Sequence, residues 1–69
     1  MNRLPVASSN IRAVGYDPHS HTLEIEFANG RVYQYFDVPE NVYKALLNAM
    51  SVGEYFNGEV RGVYRFARA

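Results

Sequence analysis

Two tyrosines one residue apart, Tyr33-Gln34-Tyr35, stand in the segment "GRVYQYFDVP". Residues two apart on a strand share a face, so the pair presents two rings side by side. Strand alternation, read through the register expected below, adds Arg12, Val14 and Tyr16 to that face, with Arg31 beyond a turn. Aromatic rings on a sheet surface with arginine at the rim are how single-strand-binding folds stack bases. Tyr and Arg are equally the residues enriched at the centres of protein interfaces. The third reading is structural: the rings cover the sheet, hydrogen-bond to Glu24 and Glu26, or lie under the carboxyl-terminal tail. The same register puts Glu24 and Glu26 among the tyrosines, where their charge opposes phosphate. A second cluster closes the chain, with Arg61, Arg65 and Arg68 interleaved with Tyr64 and Phe66. Three phosphate contacts there give weak, salt-dependent binding; the alternative is a solvated tail with one arginine paired to Glu54 or Glu59.

Catalytic chemistry finds little support. His19-Ser20-His21 beside Asp17 offers two loop histidines, whereas zinc takes three or four ligands. Ser8 and Ser9 have no base at an inferable spacing, and Ser51 reads as a helix cap. Glu24 and Glu26 point the same way about 7 Å apart by strand geometry, but glycoside hydrolysis needs a cleft that a flat sheet face does not provide. Gly53 and Asn57 lack phosphate-loop spacing and read as the joint between two helices. The expectation is a non-catalytic domain with no metal and no cofactor. Its candidate binding residues are Tyr33, Tyr35, Arg12, Arg31, Arg61, Tyr64 and Arg65.

Sixty-nine residues make one domain. With no cysteine, neither a disulfide framework nor thiolate metal binding holds it together. Stability must come from apolar burial, to which six Tyr and four Phe contribute much of the area. Seven basic residues, six of them Arg, balance seven acidic ones. The zero net charge argues mildly against a nucleic-acid-binding domain, which usually carries a basic excess. No apolar run approaches the roughly 18 residues that span a bilayer, and "MNRLPVASSN" has no apolar core of a signal peptide. A cytoplasmic location without membrane contact is expected.

These residues are held by a short series of elements. Residues 1–9 read as a loose lead-in. "NIRAVGY" starts a strand, "DPHSH" a turn, and "TLEIEFA" alternates Leu23, Ile25 and Phe27 against Thr22, Glu24 and Glu26. Asn29-Gly30 signals a two-residue type I′ hairpin, which sets Phe27 opposite Val32, Ile25 opposite Gln34 and Leu23 opposite Phe36. Pairing Tyr16 with Thr22 brings Ala13 to Ile25, Ile11 to Phe27 and Arg12 to Glu26. In "DVPENVYKALLNAMS", Asp37 and Glu40 form a capping-box pattern, and Val42, Leu46 and Met50 make an apolar stripe that closes the sheet. Ser51 and Glu54 open a short second helix ending near Gly58. The tail alternates weakly and reads as an edge strand or an extended segment.

"SSNIRAVGYD", "LEIEFANGRVYQYFDVPENVY" and "ALLNAMSVGEYFNGEVR" together resemble the KTSC domain, a family of about sixty residues. The family takes its name from the carboxyl end of some bacterial lysyl-tRNA synthetases and also occurs as small free-standing bacterial proteins. The resemblance rests on Tyr33-Gln34-Tyr35, on Val38-Pro39, and on Ala49, Ser51, Gly53, Tyr55, Phe56 and Asn57 followed by Val60-Arg61. It covers roughly residues 8–65 and implies no defined activity; RNA binding is suggested by the synthetase context. The fold expected is α+β: a three-stranded antiparallel meander, one helix on its apolar face, a short second helix and an optional carboxyl-terminal edge strand. The function expected is an interaction module for a protein partner or a second copy. The alternative is an accessory RNA-binding domain using the Tyr33/Tyr35 face and the arginine-rich tail.

Overall fold

Asn29-Gly30 does reverse the chain, but with one residue more than a two-residue hairpin. Phe27 N–H donates to the Arg31 carbonyl at 2.8 Å and Gly30 N–H donates to the Phe27 carbonyl at 2.9 Å. Gly30 takes φ +89° while Asn29 does not go left-handed, and type I′ needs both. The result is a three-residue loop, Ala28–Gly30, with its left-handed residue last. Asn29 serves the turn differently, its Oδ1 accepting the Arg31 N–H at 3.0 Å.

The computed structural model describes all 69 residues. Five strands form one antiparallel meander in chain order: β1 (Arg3–Pro5), β2 (Ile11–Asp17), β3 (Thr22–Phe27), β4 (Val32–Tyr35) and β5 (Phe66–Arg68). Helices α1 (Glu40–Asn48) and α2 (Val52–Glu59) lie between β4 and β5 in sequence. The α+β class stands, with five strands rather than three. The segment expected to be loose contributes β1, and the tail contributes β5. No helix is long and apolar enough to cross a membrane.

The longer turn changes the register by one residue. Leu23 pairs with Tyr35, Ile25 with Tyr33, and Glu24 with Gln34. The β2–β3 loop shifts as well: Asp17, not Tyr16, pairs with Thr22. Asp17 organises that loop by accepting the His19 N–H at 2.9 Å and the Ser20 hydroxyl at 3.0 Å. The two shifts leave β2 and β4 in their expected relation and turn β3 over between them. Val14, Tyr16, Tyr33 and Tyr35 therefore share a face with Leu23 and Ile25, and that face is the core. Gln34, expected in the middle of the apolar face, points the other way and donates to Glu24 at 3.1 Å.

Two expected pairings survive through a bulge. The register steps between Ile11 and Ala13, so Ile11 still meets Phe27. Arg12, the residue at the step, still reaches Glu26 at 3.1 Å. A bulge of this kind adds a residue to one strand and re-aims the side chains around it. Here it keeps both Ile11 and Val14 in the core.

The core joins Ile11, Val14, Leu23, Ile25 and Tyr35 of the sheet to Val38, Leu46, Val52, Phe56 and Val60. Met50 does not join it and is fully exposed. Helix α1 ends at Asn48, and Ala49 is already extended, so the stripe runs out before Met50. The Asp37–Glu40 capping box also does not form. Pro39 is the N-cap and supplies no side-chain bond, while Asp37 takes φ +57° and pairs with Arg65 at 2.8 Å. The second cap is present, with Ser51 Oγ accepting the Glu54 N–H at 3.2 Å.

The outer face of the sheet carries the charge. Arg3 reaches Glu24 at 2.6 Å and Glu26 at 3.3 Å, and Arg12 adds the third contact of the cluster. Glu24 is buried by this arrangement, so β1 supplies the only opposite charge to a carboxylate whose other side-chain partner is the neutral Gln34 amide. β1 fits only because Gly15 has no side chain. A Cβ there would lie 2.7 Å from the Asn2 carbonyl oxygen. Gly15→Ala is expected to lose about 1–3 kcal/mol, the usual cost of overpacking. Urea denaturation would give that loss, and faster amide exchange confined to β1 and β2 would show that β1 is what comes away.

Candidate functional site

The shifted register brings the tyrosine pair under the helices, at the end of the sheet where α2 does not fully cover it. The hollow left there has a volume of about 410 Å³ and lies between the β3–β4 turn, α2 and β5. Tyr33, Tyr35, Phe56 and Phe66 form its floor. Their rings touch in sequence. Tyr35 meets Phe56 edge-on with centroids 5.4 Å apart, Phe66 tilts against Tyr35 and Tyr33 at 5.7 Å each, and Phe27 ties Tyr33 to Phe56 from behind. These separations suit edge and offset aromatic packing, so the floor is fixed by the core. Phe66 is exposed on the hollow side.

The rim is polar and positive. Arg31 follows the Gly30 turn directly. Arg61 leaves the end of α2, where the Val60 and Arg61 N–H groups both donate to the Phe56 carbonyl at 3.0 and 2.9 Å. Asn57 projects from α2, and Asn10 and Asn29 come from the loops that border β2 and β4. Neither Arg31 nor Arg61 lies within ion-pair distance of a carboxylate, although Arg3, Arg12 and Arg65 all do. No Asp, Glu, His, Lys or Ser lines the hollow. It therefore offers two free guanidiniums, three carboxamides and aromatic surface, but no nucleophile–base pair. Such a site can hold a flat ring and an anion.

Tyr35 reports the local field. Burial pushes its hydroxyl above the ordinary tyrosine value, the Arg61 guanidinium partly offsets this, and Tyr33 adds to the rise. The hydroxyl has no hydrogen-bond partner in the chain, yet no buried polar atom is left unsatisfied, so it opens into the hollow. Elsewhere burial also raises the hydroxyls of Tyr16 and Tyr43. These two rings stack at 5.1 Å on the far side of the core, and Tyr16 donates to the Val38 carbonyl.

Four of the seven residues expected from sequence thus converge: Tyr33, Tyr35, Arg31 and Arg61. Arg12 is on the outer face, held by Glu26 and by the Ala28 carbonyl at 2.8 Å. Arg65 binds Asp37 and lies over the Phe36 ring at 5.6 Å, while Tyr64 packs half-buried against the core; both border an adjoining hollow. The tyrosines make no bond to Glu24 or Glu26, which belong to the other face. The three asparagines were not anticipated as binding groups. Asn57 belongs to the family motif and to the joint between the helices, and Asn10 to the segment that opens the first long strand, and neither place marks a binding role. Around His19 and His21, the Ser20 hydroxyl lies within hydrogen-bond distance of Asp17 and Thr22. The Asp17 carboxyl is held below its ordinary value, first by the His19 N–H and then by the Ser20 hydroxyl. No group of three or more metal-ligating side chains assembles there or elsewhere.

Fold and hollow together define a small α+β domain with an aromatic, arginine-rimmed hollow at one end of its sheet. The KTSC domain profile matches residues 7–64. The crystal structure of a KTSC domain protein from Yersinia pestis superposes with a TM-score of 0.96 at 38% identity, covering 99% of this chain and 96% of that one. The chain belongs to the KTSC domain family. An uncharacterized protein of Stutzerimonas stutzeri is 47% identical over 57 residues, 83% of this chain and 80% of its own length. A lysine–tRNA ligase of Nostoc is 41% identical over 58 residues, which span 84% of this chain but 10% of the ligase.

The charge at Arg61 stabilises the Tyr35 tyrosinate, so its removal is expected to raise the Tyr35 pKa further. A pH titration of the ring-carbon NMR signal in wild-type and Arg61→Gln protein checks this. An unchanged or lowered midpoint would mean that the two groups do not face each other.

Proposed function

We propose that the domain is a non-catalytic binding module for single-stranded RNA, with the hollow as the place where a base and its phosphate are taken. The observation that carries this reading is the pairing of two free guanidiniums with an aromatic floor in a site without a carboxylate. A base stacks on the exposed edge of the floor formed by Tyr33 and Phe66, and stacking of this kind is sequence-tolerant. Arg31 and Arg61 take the phosphate, and the asparagine amides face the base edge. The objection from Glu24 and Glu26 falls away, because both lie on the opposite face and are paired to Arg3 and Arg12. The likeness to part of a lysine–tRNA ligase supports the same reading. A protein partner or a second copy is less well matched. Its hot spot would need to desolvate two unpaired guanidiniums, a cost that only an acidic counterpart offsets.

With zero net charge and two phosphate-directed arginines, binding is expected to be weak and strongly salt-dependent. Titration of the isotope-labelled domain with mixed-sequence single-stranded RNA, at low and then at physiological salt, tests it. Shifts should centre on Arg31, Tyr33, Tyr35, Arg61 and Phe66 and fade as salt rises. Arg31→Gln and Arg61→Gln should each weaken binding several-fold and lower the salt slope by about 0.7, the increment for one phosphate on a single strand. Arg12→Gln should leave both unchanged. Absence of shifts at low salt would overturn the reading.

A further inference from the structure

Beside the main hollow lies a second, shallower one, bordered by Phe36, Gly62, Val63, Tyr64, Arg65 and Phe66. Phe66 and Gly62 line both hollows. Phe66 is a ridge between them, 60% exposed, and Val63 beyond it is equally open. Gly62 turns the chain at φ +77°, with no atom within 4 Å of where a Cβ would be. A chain can therefore pass from one hollow to the other over the ridge without meeting a side chain at residue 62. The second hollow repeats the chemistry of the first with fewer groups: an aromatic ring, Phe36, with a guanidinium, Arg65, 5.6 Å above it. The Arg65 carbonyl accepts the Phe36 N–H at 2.9 Å, which holds the pair in place.

We propose, on the basis of the RNA reading above, that the site takes two consecutive nucleotides, one on each side of Phe66. The first base occupies the Tyr33–Tyr35 hollow with its phosphate on Arg31 and Arg61. The second lies against Phe36, Val63 and the far side of Phe66, with its phosphate on Arg65. Arg65 differs from the other two arginines in one respect: Asp37 holds it at 2.8 Å. Both side chains of that pair are about three-quarters exposed, at 75% and 76%, and exposed pairs contribute little. The pair acts as a weak latch that the second phosphate must exchange, and Asp37 sets how tightly the longer ligand is held. Asp37 does not border the first hollow, so its influence is confined to the second nucleotide.

The test compares uridine 5′-monophosphate with the dinucleotide pUpU on the intact chain, by NMR titration at low salt, in wild-type and Asp37→Asn protein. Asn accepts the left-handed backbone that Asp37 adopts, so the substitution removes charge without disturbing the turn. The dinucleotide is expected to bind roughly tenfold tighter than the monophosphate, the gain that one further stacked base supplies. Its additional shifts should fall on Phe36, Val63 and Arg65. Asp37→Asn should tighten pUpU about threefold, a modest change suited to an exposed pair, and leave the monophosphate unchanged. Equal affinity for the two ligands, with shifts confined to the first hollow, would overturn the two-nucleotide site and leave the RNA reading standing. Equal tightening of both ligands by Asp37→Asn would overturn the latch, since it would reflect net charge alone. Failure of both ligands to bind would overturn the proposal together with the reading on which it rests.

Discussion

Gly30 adopts φ +89° while Asn29 stays out of the left-handed region, and the inward position of the tyrosine pair follows from that difference. A two-residue turn would have left Tyr33 and Tyr35 on the outer face of the sheet among the glutamates. The three-residue turn puts them on the core face with Leu23 and Ile25. Side chains alternate with period two along a strand, so one added loop residue exchanges the two faces entirely. Once the tyrosines face inward, Phe56 from α2 and Phe66 from β5 complete a ring-on-ring floor. The hollow is the region that two short helices cannot cover.

The same exchange partitions the charge. Glu24 and Glu26 move to the outer face, where the amino-terminal strand brings Arg3 against them and the bulge lets Arg12 reach Glu26. Carboxylates and guanidiniums are thereby matched away from the hollow. Arg31 and Arg61 are left without an ion-pair partner at its rim, in a domain of zero net charge. Overall charge is a poor guide here because attraction within about a Debye length depends on which charges are already neutralised.

Much of the architecture was legible from the sequence because it rests on strong local signals. The alternation of "TLEIEF" fixes β3, the spacing of Val42 and Leu46 fixes α1, and Ser51 with Glu54 opens α2 as expected. The family was legible from its motifs, and Arg31, Arg61, Tyr33 and Tyr35 were singled out by residue type. What escaped depended on turn geometry and long-range pairing. Asn-Gly favours a two-residue hairpin but also fits the end of a three-residue loop, and the strands themselves do not say which. β1 has no alternation of its own across three residues, and Arg3 acquires meaning only when Glu24 is known to point outward. Asp37 matches a capping box in sequence, yet tertiary contact with Arg65 takes it instead.

The RNA reading proposed above requires that the inward-facing tyrosine pair be the surface on which the nucleic acid rests. Photo-cross-linking with single-stranded RNA carrying 5-iodouridine, followed by mass spectrometric mapping, tests this most directly. Adducts are expected on Tyr33, Tyr35 or Phe66, lost in competition with unlabelled RNA. Adducts confined to the outer sheet face around Arg3 and Arg12, or to the exposed side of α1, would contradict it.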